Sequence, residues 1–281
     1  MEAVIEAGDD PEALGSLNLM SMFNSPIEQG FDEAELKGIS LNASGVSFSL
    51  PKATTKVTRN KEGVATGVKS PAYKMTLAAD PEGGALGQML AGGLGQLGYE
   101  QISMSSASEV SYDPETNLTR YKDSYIDIED GLKLSFKGGL TNLLQVMQAA
   151  ESVNGPGASP EAAMAAFENL TINDFELTLE DKSILDRGIK LAAQMQGMEP
   201  DMLKQMAVGG LAMATMQAGA VGVDTALVNE SVTALSSLIE ESGAITIKID
   251  PAEPLRLGDI EDPTQLTKDS LGFSATHTPA K

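Results

Sequence analysis

One stretch constrains the fold of this chain more than any other. Ile126 and Ile128 alternate with polar residues up to Asp130-Gly131, and Leu132, Leu134 and Phe136 alternate on the far side. Apolar residues at every second position put one face of a strand on a core. Asp-Gly takes the positive φ angles of a tight hairpin turn. Upstream, Ile102, Met104, Val110 and Tyr112 share parity before the turn-forming run Asp113-Pro114-Glu115-Thr116-Asn117, and Leu118-Thr119-Arg120-Tyr121 starts a return strand. The prediction is a three-strand antiparallel meander ending near Gly138-Gly139.

The same periodicity recurs along the chain. Ile39 and Leu41, then Val46, Phe48 and Leu50, alternate with a change of parity at Ser44-Gly45. A β-bulge there keeps both sets on one face. The basic run from Lys52 to Lys69 reads as an exposed turn before a strand over 73–77. Strands are also expected at 170–172, 175–179, 245–249 and about 271–275. Helical spacing marks 86–97, 140–147, Pro160 to Phe167, a segment after Asp181 as N-cap, a segment from Pro200, and Asp224 to Glu241 with Leu227, Val232, Leu235, Leu238 and Ile239 inward. The fold class is therefore α+β: a curved antiparallel sheet, built as a meander with a degenerate repeat, packed with several helices, and a helical cluster at about 182–242. An N-terminal arm over 1–34 precedes a single α+β domain over 35–278. Two similar halves, 35–150 and 160–278, are the alternative division.

Charge and composition limit what such a fold can do. Lys and Arg total 19 against 40 Asp and Glu, a formal net charge of −21, and Cys is absent. No disulfide framework, thiolate metal site or catalytic thiol is available. Phosphate affinity comes from Lys and Arg, so no nucleic-acid partner is expected. Acidic Met1 to Asp10 lacks the basic-then-apolar pattern of a signal peptide. The expected locations are the periplasm or outside the cell, with a leader not in this sequence, or else the cytoplasm.

Against this acidic background, residues 83–99 and 205–223 carry no charge at all. In the first, Leu86, Met89, Leu90 and Leu94 recur at helical steps among glycines. The second follows Met202 and includes Met206, Leu211, Met213 and Met216. Methionine is a flexible, polarisable side chain that suits adaptable apolar sites. Small residues let a helix backbone lie close to a sheet or a ligand. The expected ligand site is thus an apolar groove walled by Leu86, Met89, Leu90, Leu94, Met202, Met206, Leu211 and Met213. A core merely filled with methionine is the plainer alternative. The second stretch has the length of a membrane span, but Gln205, Thr215, Gln217 and its small residues argue against a stable one.

Other patterns fail on their chemistry. Gly93, Gly95 and Gly98 match a dinucleotide fingerprint, yet a helix precedes them and a strand follows, the reverse of what pyrophosphate binding needs. Asp113, Glu115 and Asn117 imitate a calcium loop whose sixth and twelfth positions are Leu118 and Ser124 instead of Gly and Glu. The carboxylates of Asp123, Asp127, Glu129 and Asp130 read as a solvated hairpin end. His277 is the one imidazole, on a terminal segment without a nucleophile elbow to serve it. No catalytic residue, metal site or cofactor is assigned, and no enzymatic activity is expected.

Tyr112-Asp113-Pro114-Glu115-Thr116-Asn117-Leu118-Thr119, Ile126 to Ser135, and Leu177 to Arg187 with Ala192 to Gly197 behind them resemble uncharacterised secreted proteins of Gram-negative bacteria. More loosely they resemble the β-rich periplasmic proteins of the AsmA and YdgA kind. The resemblance implies a non-catalytic periplasmic protein with a curved sheet that handles lipid. The functional expectation is non-enzymatic binding or transport of an apolar ligand, lipid first. The alternative is a structural or protein-interaction module with an acidic surface and no ligand cavity.

Overall fold

A computed structural model describes residues 31–153, 160–220, 222–260, 262, 264 and 266–280. Most of the expected N-terminal arm and part of the loop over 152–160 lie outside them. The fold is α+β, with antiparallel strands. The strands are β1 (Glu33–Ala43), β2 (Val46–Arg59), β3 (Ala65–Ala79), β4 (Gln101–Asp113), β5 (Leu118–Ile128), β6 (Leu132–Thr141), β7 (Thr171–Asp181), β8 (Gly243–Ile249), β9 (Leu255–Arg256) and β10 (Ser274–Thr278). Their order in the sheet is β1-β2-β3-β4-β5-β6-β7-β8-β10, with β9 paired to β7. The longer helices are α1 (Ala85–Gln96), α2 (Leu143–Val153), α3 (Pro160–Glu168), α4 (Ile184–Gln196), α5 (Pro200–Ala220) and α6 (Thr225–Glu241), and α7 (Lys268–Leu271) is a single turn. The predicted meander is β4-β5-β6.

The chain divides into two compact units that do not follow chain order. The first takes the residues up to Glu109, then 124–133 and 182–197. Its core is the β1-β2-β3 hairpin pair, where Ile39, Leu41, Leu50 and Ala53 are buried with Phe48, Tyr73 and Met75 packed on them. Ser44 and Gly45 form the β1-β2 turn with φ of 51° and 79°. Positive φ at both central residues is what a two-residue hairpin of type I′ needs. The parity change that suggested a bulge is therefore a reversal of the chain. The basic run is not a turn either: β2 continues to Arg59 and β3 starts at Ala65, so Lys52, Lys56 and Lys69 stand on strands. Their charges are matched across the pairs: Lys52 lies 2.9 Å and Lys56 3.3 Å from Glu35 and Glu33, and Lys69 lies 2.7 Å from Glu109. Lys37 and Lys52 together hold the Glu35 carboxyl down to about 2.

Only part of the glycine content of α1 serves close packing. A Cβ on Gly87 would lie 2.4 Å from the Asp80 carbonyl oxygen and 3.0 Å from Gly45 Cα. That contact seats the start of α1 on the β1-β2 turn. Gly92, Gly93 and Gly95 face open space. In the same unit, α4 is preceded by Ser183 as its cap rather than by Asp181, which belongs to β7, and it stops at Gly197 in the left-handed conformation.

The second unit takes 110–123, 134–181 and the residues from Met198 on. β7, β8 and β10 pair antiparallel, so Leu179 and Ile245 are opposite each other, as are Ile247 and Ala275. α6 packs on β8 and β10 with Ala234 and Leu238 buried, together with Ile245, Leu271, Phe273 and Ala275. Leu235, expected inward, is exposed. Asp224 caps α6 by accepting from the Ala226 amide at 2.8 Å. Glu230 accepts from the Ala275 amide at 3.0 Å and pairs with Lys268, tying β10 and α7 to the helix.

Gly87→Ala is expected to lower stability by about 1–3 kcal/mol, because the new methyl meets backbone that cannot turn aside. Gly93→Ala is expected to raise it by up to about 1 kcal/mol, since Ala is the better helix former and nothing obstructs it. Urea unfolding of both variants gives the comparison. The Lys268 side chain and the Ala275 amide also hold the Glu230 carboxyl below its ordinary 4.5. A depressed carboxylate stabilises the fold above its unfolded pKa, and that stability is lost as pH falls through the folded value. Acidification from about pH 6 to about pH 3 should therefore lower the protection of the Ala275 amide, its exchange measured relative to an unstructured peptide at the same pH. Glu230→Gln should remove most of that pH dependence.

Candidate functional site

The site-forming elements lie within the second unit, where Tyr121 of β5, Phe136 and Leu140 of β6, Phe175 of β7 and Leu143 of α2 enclose an apolar pocket of about 220 Å³. Tyr121 and Phe136 pack with ring centroids 5.2 Å apart and planes at 58°, a tilted aromatic contact. Burial raises the Tyr121 phenol above its usual value. Lys137 and Gly138 complete the lining.

A second cleft of about 610 Å³ shares Tyr121, Lys137, Gly138 and Phe175 with the pocket, so the two are contiguous. Its chemistry is different. The Arg120 guanidinium donates to both carboxylate oxygens of Asp174, at 2.9 and 3.1 Å. Lys137 lies 2.9 Å from Glu176, and Lys248 lies 2.7 Å from Asp250, which raises the lysine above its usual value. Lys122, Asp123 and Asn173 lie along the same cleft.

Two glycines let neighbouring groups come close beside the pocket and cleft. Gly138 has φ 147°, and a Cβ there would sit 2.3 Å from the Asp174 carbonyl oxygen. A Cβ on Gly139 would sit 2.8 Å from Arg120 Nη2. Glycine within a strand marks a close backbone approach or a bend. The sequence carries that signal as Gly138-Gly139, although periodicity marks the pair only as the end of a meander.

The residues expected to wall a groove are divided between the two units. Leu86, Leu90 and Leu94 are half-buried on α1 and Met89 is exposed, all in the first unit. Met202, Met206, Leu211 and Met213 belong to α5 in the second unit. At about 100° per residue, Met202, Met206, Met213 and Met216 fall within roughly 80° of the helix circumference. They are 53, 58, 62 and 78% exposed. Leu211 lies on the opposite, half-buried face with Val208, Thr215 and Ala218. The methionines of α5 are therefore a surface stripe and not core filler. The apolar pocket and the charged cleft are lined by none of the eight expected residues.

The candidate chemical groups are tied into the fold. His277 stands on β10, and its Nε2 donates to the Ser242 carbonyl at 2.6 Å. Asp127 pairs with Lys182 and Glu129 with Lys74, each at 2.6 Å. Gly93 and Gly95 lie inside α1, and Gly98 follows it before β4. Among the described residues no group of three or more Asp, Glu or His is placed to hold a metal ion, and no helix is long and apolar enough to cross a membrane. Because the α5 stripe contributes little buried area, Met206→Gln with Met213→Gln should change unfolding free energy by no more than about 0.5 kcal/mol. Leu238→Ala in the buried face of α6 should cost about 2–5 kcal/mol. Thermal and urea unfolding of the two variants separate these outcomes.

No curated protein matches the chain. A protein-family model described as "Uncharacterized protein" matches residues 125–278. This region runs from the last residues of β5, at Tyr125, to the end of β10 and includes Phe136, Gly138, Asp174 and Phe175 of the two clefts but not Arg120 or Tyr121. It covers more than half of the 281 residues, and the chain belongs to that uncharacterised family.

Proposed function

We propose that this protein is a non-enzymatic binder of an apolar ligand, lipid first, acting in the bacterial periplasm. The observation that carries the reading is the apolar pocket of Tyr121, Phe136, Leu140, Leu143 and Phe175 opening beside a charged cleft. The periplasmic location rests on the resemblance of 112–119, 126–135, 177–187 and 192–197 to secreted proteins and, more loosely, to those of the AsmA and YdgA kind.

Size decides what part of a ligand the pocket takes. Sites for whole drug-sized ligands run from about 300 to 1,000 Å³, above the 220 Å³ here. A short alkyl segment or one ring fits, and a complete lipid does not. Burying about 150 Å² of apolar surface gains about 4 kcal/mol at about 25 cal/mol per Å². Association itself costs about 4–15 kcal/mol. The pocket alone therefore gives little net affinity, and a useful ligand also needs contacts outside it.

A second reading, a protein-interaction module, has one observation in its favour: the exposed methionine stripe of α5. Polarisable, adaptable side chains on a helix surface suit an apolar partner face.

Solvent extraction of the purified protein followed by mass spectrometry should recover an alkyl-bearing molecule. Decyl maltoside, titrated below its micelle concentration by calorimetry, should bind saturably. Leu143→Asp should weaken that binding at least tenfold without loss of the thermal transition, and Met206→Gln should leave it unchanged. Absence of saturable binding to the unaltered protein overturns the reading. Loss of binding in Met206→Gln alone moves the site to α5 and favours the second.

A further inference from the structure

The charged cleft restricts the head of a ligand as the pocket restricts its tail, a restriction that holds only if the proposed apolar-binding role does. Across the cleft the pairs Arg120–Asp174, Lys137–Glu176 and Lys248–Asp250 set cations and carboxylates side by side. Lys122 and Asp123 extend the lining by one charge of each sign. The cleft is therefore locally balanced on a chain whose formal net charge is −21.

Balance has consequences for each class of head group. A purely anionic head meets the repulsion of the whole molecule, and in this cleft it competes with carboxylates already seated on Arg120, Lys137 and Lys248. A purely cationic head gains from the net charge but meets those same three cations at the cleft itself. A head that carries both signs a few ångströms apart exchanges partners with the existing pairs and leaves no charge uncompensated. Tyr121 and Phe175 lie where the cleft meets the pocket, and their aromatic faces add an attraction for a quaternary ammonium.

From the contiguous pocket and balanced cleft we infer that the ligand is a zwitterionic amphiphile, with a short alkyl segment against Phe136 and Leu143 and a phosphate–ammonium head among the Arg120, Lys137 and Lys248 pairs. Phosphate oxygens accept from Arg120 and Lys137. The ammonium lies toward Asp174, Glu176 and the faces of Tyr121 and Phe175.

Calorimetry on the full chain with one tail and four heads tests this: decylphosphocholine, decyl sulfate, decyltrimethylammonium and decyl maltoside, each below its micelle concentration. Phosphocholine without a tail is the fifth probe. Decylphosphocholine should bind at least tenfold more tightly than the other three decyl compounds, and tailless phosphocholine at least a hundredfold more weakly than decylphosphocholine. Lys137→Gln should weaken decylphosphocholine at least fivefold more than it weakens decyl maltoside, and Lys137→Arg should retain the preference. Equal binding of decyl maltoside, or tightest binding of the sulfate or the trimethylammonium, overturns the zwitterionic head while leaving an apolar site in place. Tailless phosphocholine binding as tightly as decylphosphocholine overturns the amphiphile in favour of a small free zwitterion. Failure of every decyl compound to bind overturns both this inference and the apolar site it rests on.

Discussion

The carbonyls of Asp130 and Gly131, at the tip of the β5-β6 hairpin, hold the helices of the first unit in place. Gly131 accepts from the amides of Lys182, Ser183 and Ile184 at 2.9, 3.1 and 3.2 Å. Those amides begin α4, and the opening turn of a helix has donors with no intrahelical partner. A sheet carbonyl therefore does the work of an N-cap side chain, which frees the Ser183 hydroxyl to donate to Asp130. Tyr99, just after α1, donates to the same Asp130 carbonyl at 3.0 Å. Arg187 closes the arrangement: it donates to the Leu97 and Gly98 carbonyls at 2.9 and 2.7 Å and lies 4.3 Å from the Tyr99 ring centroid. The start of α4 and the end of α1 thus meet at one tight turn, while the start of α1 rests on the β1-β2 turn.

Missing side chains shape the second unit in a comparable way. Gly138 lets β6 approach the Asp174 carbonyl more closely than any Cβ permits, and Gly139 does the same beside Arg120. With those two positions bare, the Arg120–Asp174 pair can form across them and the apolar pocket can open beside it. Exposed ion pairs of this kind add little to stability, commonly about 0–1 kcal/mol. Their arrangement matters more for what they present to a ligand than for holding the strands together.

Much of this fold is legible from local patterns, because a strand with one buried face repeats every two residues. The β4-β5-β6 meander and the extent of α6 from about Asp224 to Glu241 can be read from residue type and spacing. Elsewhere the pattern is ambiguous. A parity change at Ser44-Gly45 fits a bulge as well as a reversal, and only the paired register of β1 and β2, with Ala43 opposite Val46, distinguishes them. Leu235 fits the inward stripe of α6 by spacing, yet β8 and β10 cover the face that buries Ala234 and Leu238.

The site shows where local reading ends. Uncharged, methionine-bearing helices announce apolar surface, and α5 has it, but spacing cannot say whether a stripe is covered or bare. The pocket instead gathers Tyr121, Phe136, Leu143 and Phe175 from three strands and a helix. By itself the sequence determined the periodicities, the turns, the charge of −21 and the absence of thiol chemistry, since each follows from residue type and near neighbours. Tertiary structure alone decided that β10 adjoins β8 and β9 adjoins β7, where two glycines bring a backbone and an ion pair together, and which apolar residues share a cavity. Those are contacts between distant parts of the chain, and no local period encodes them.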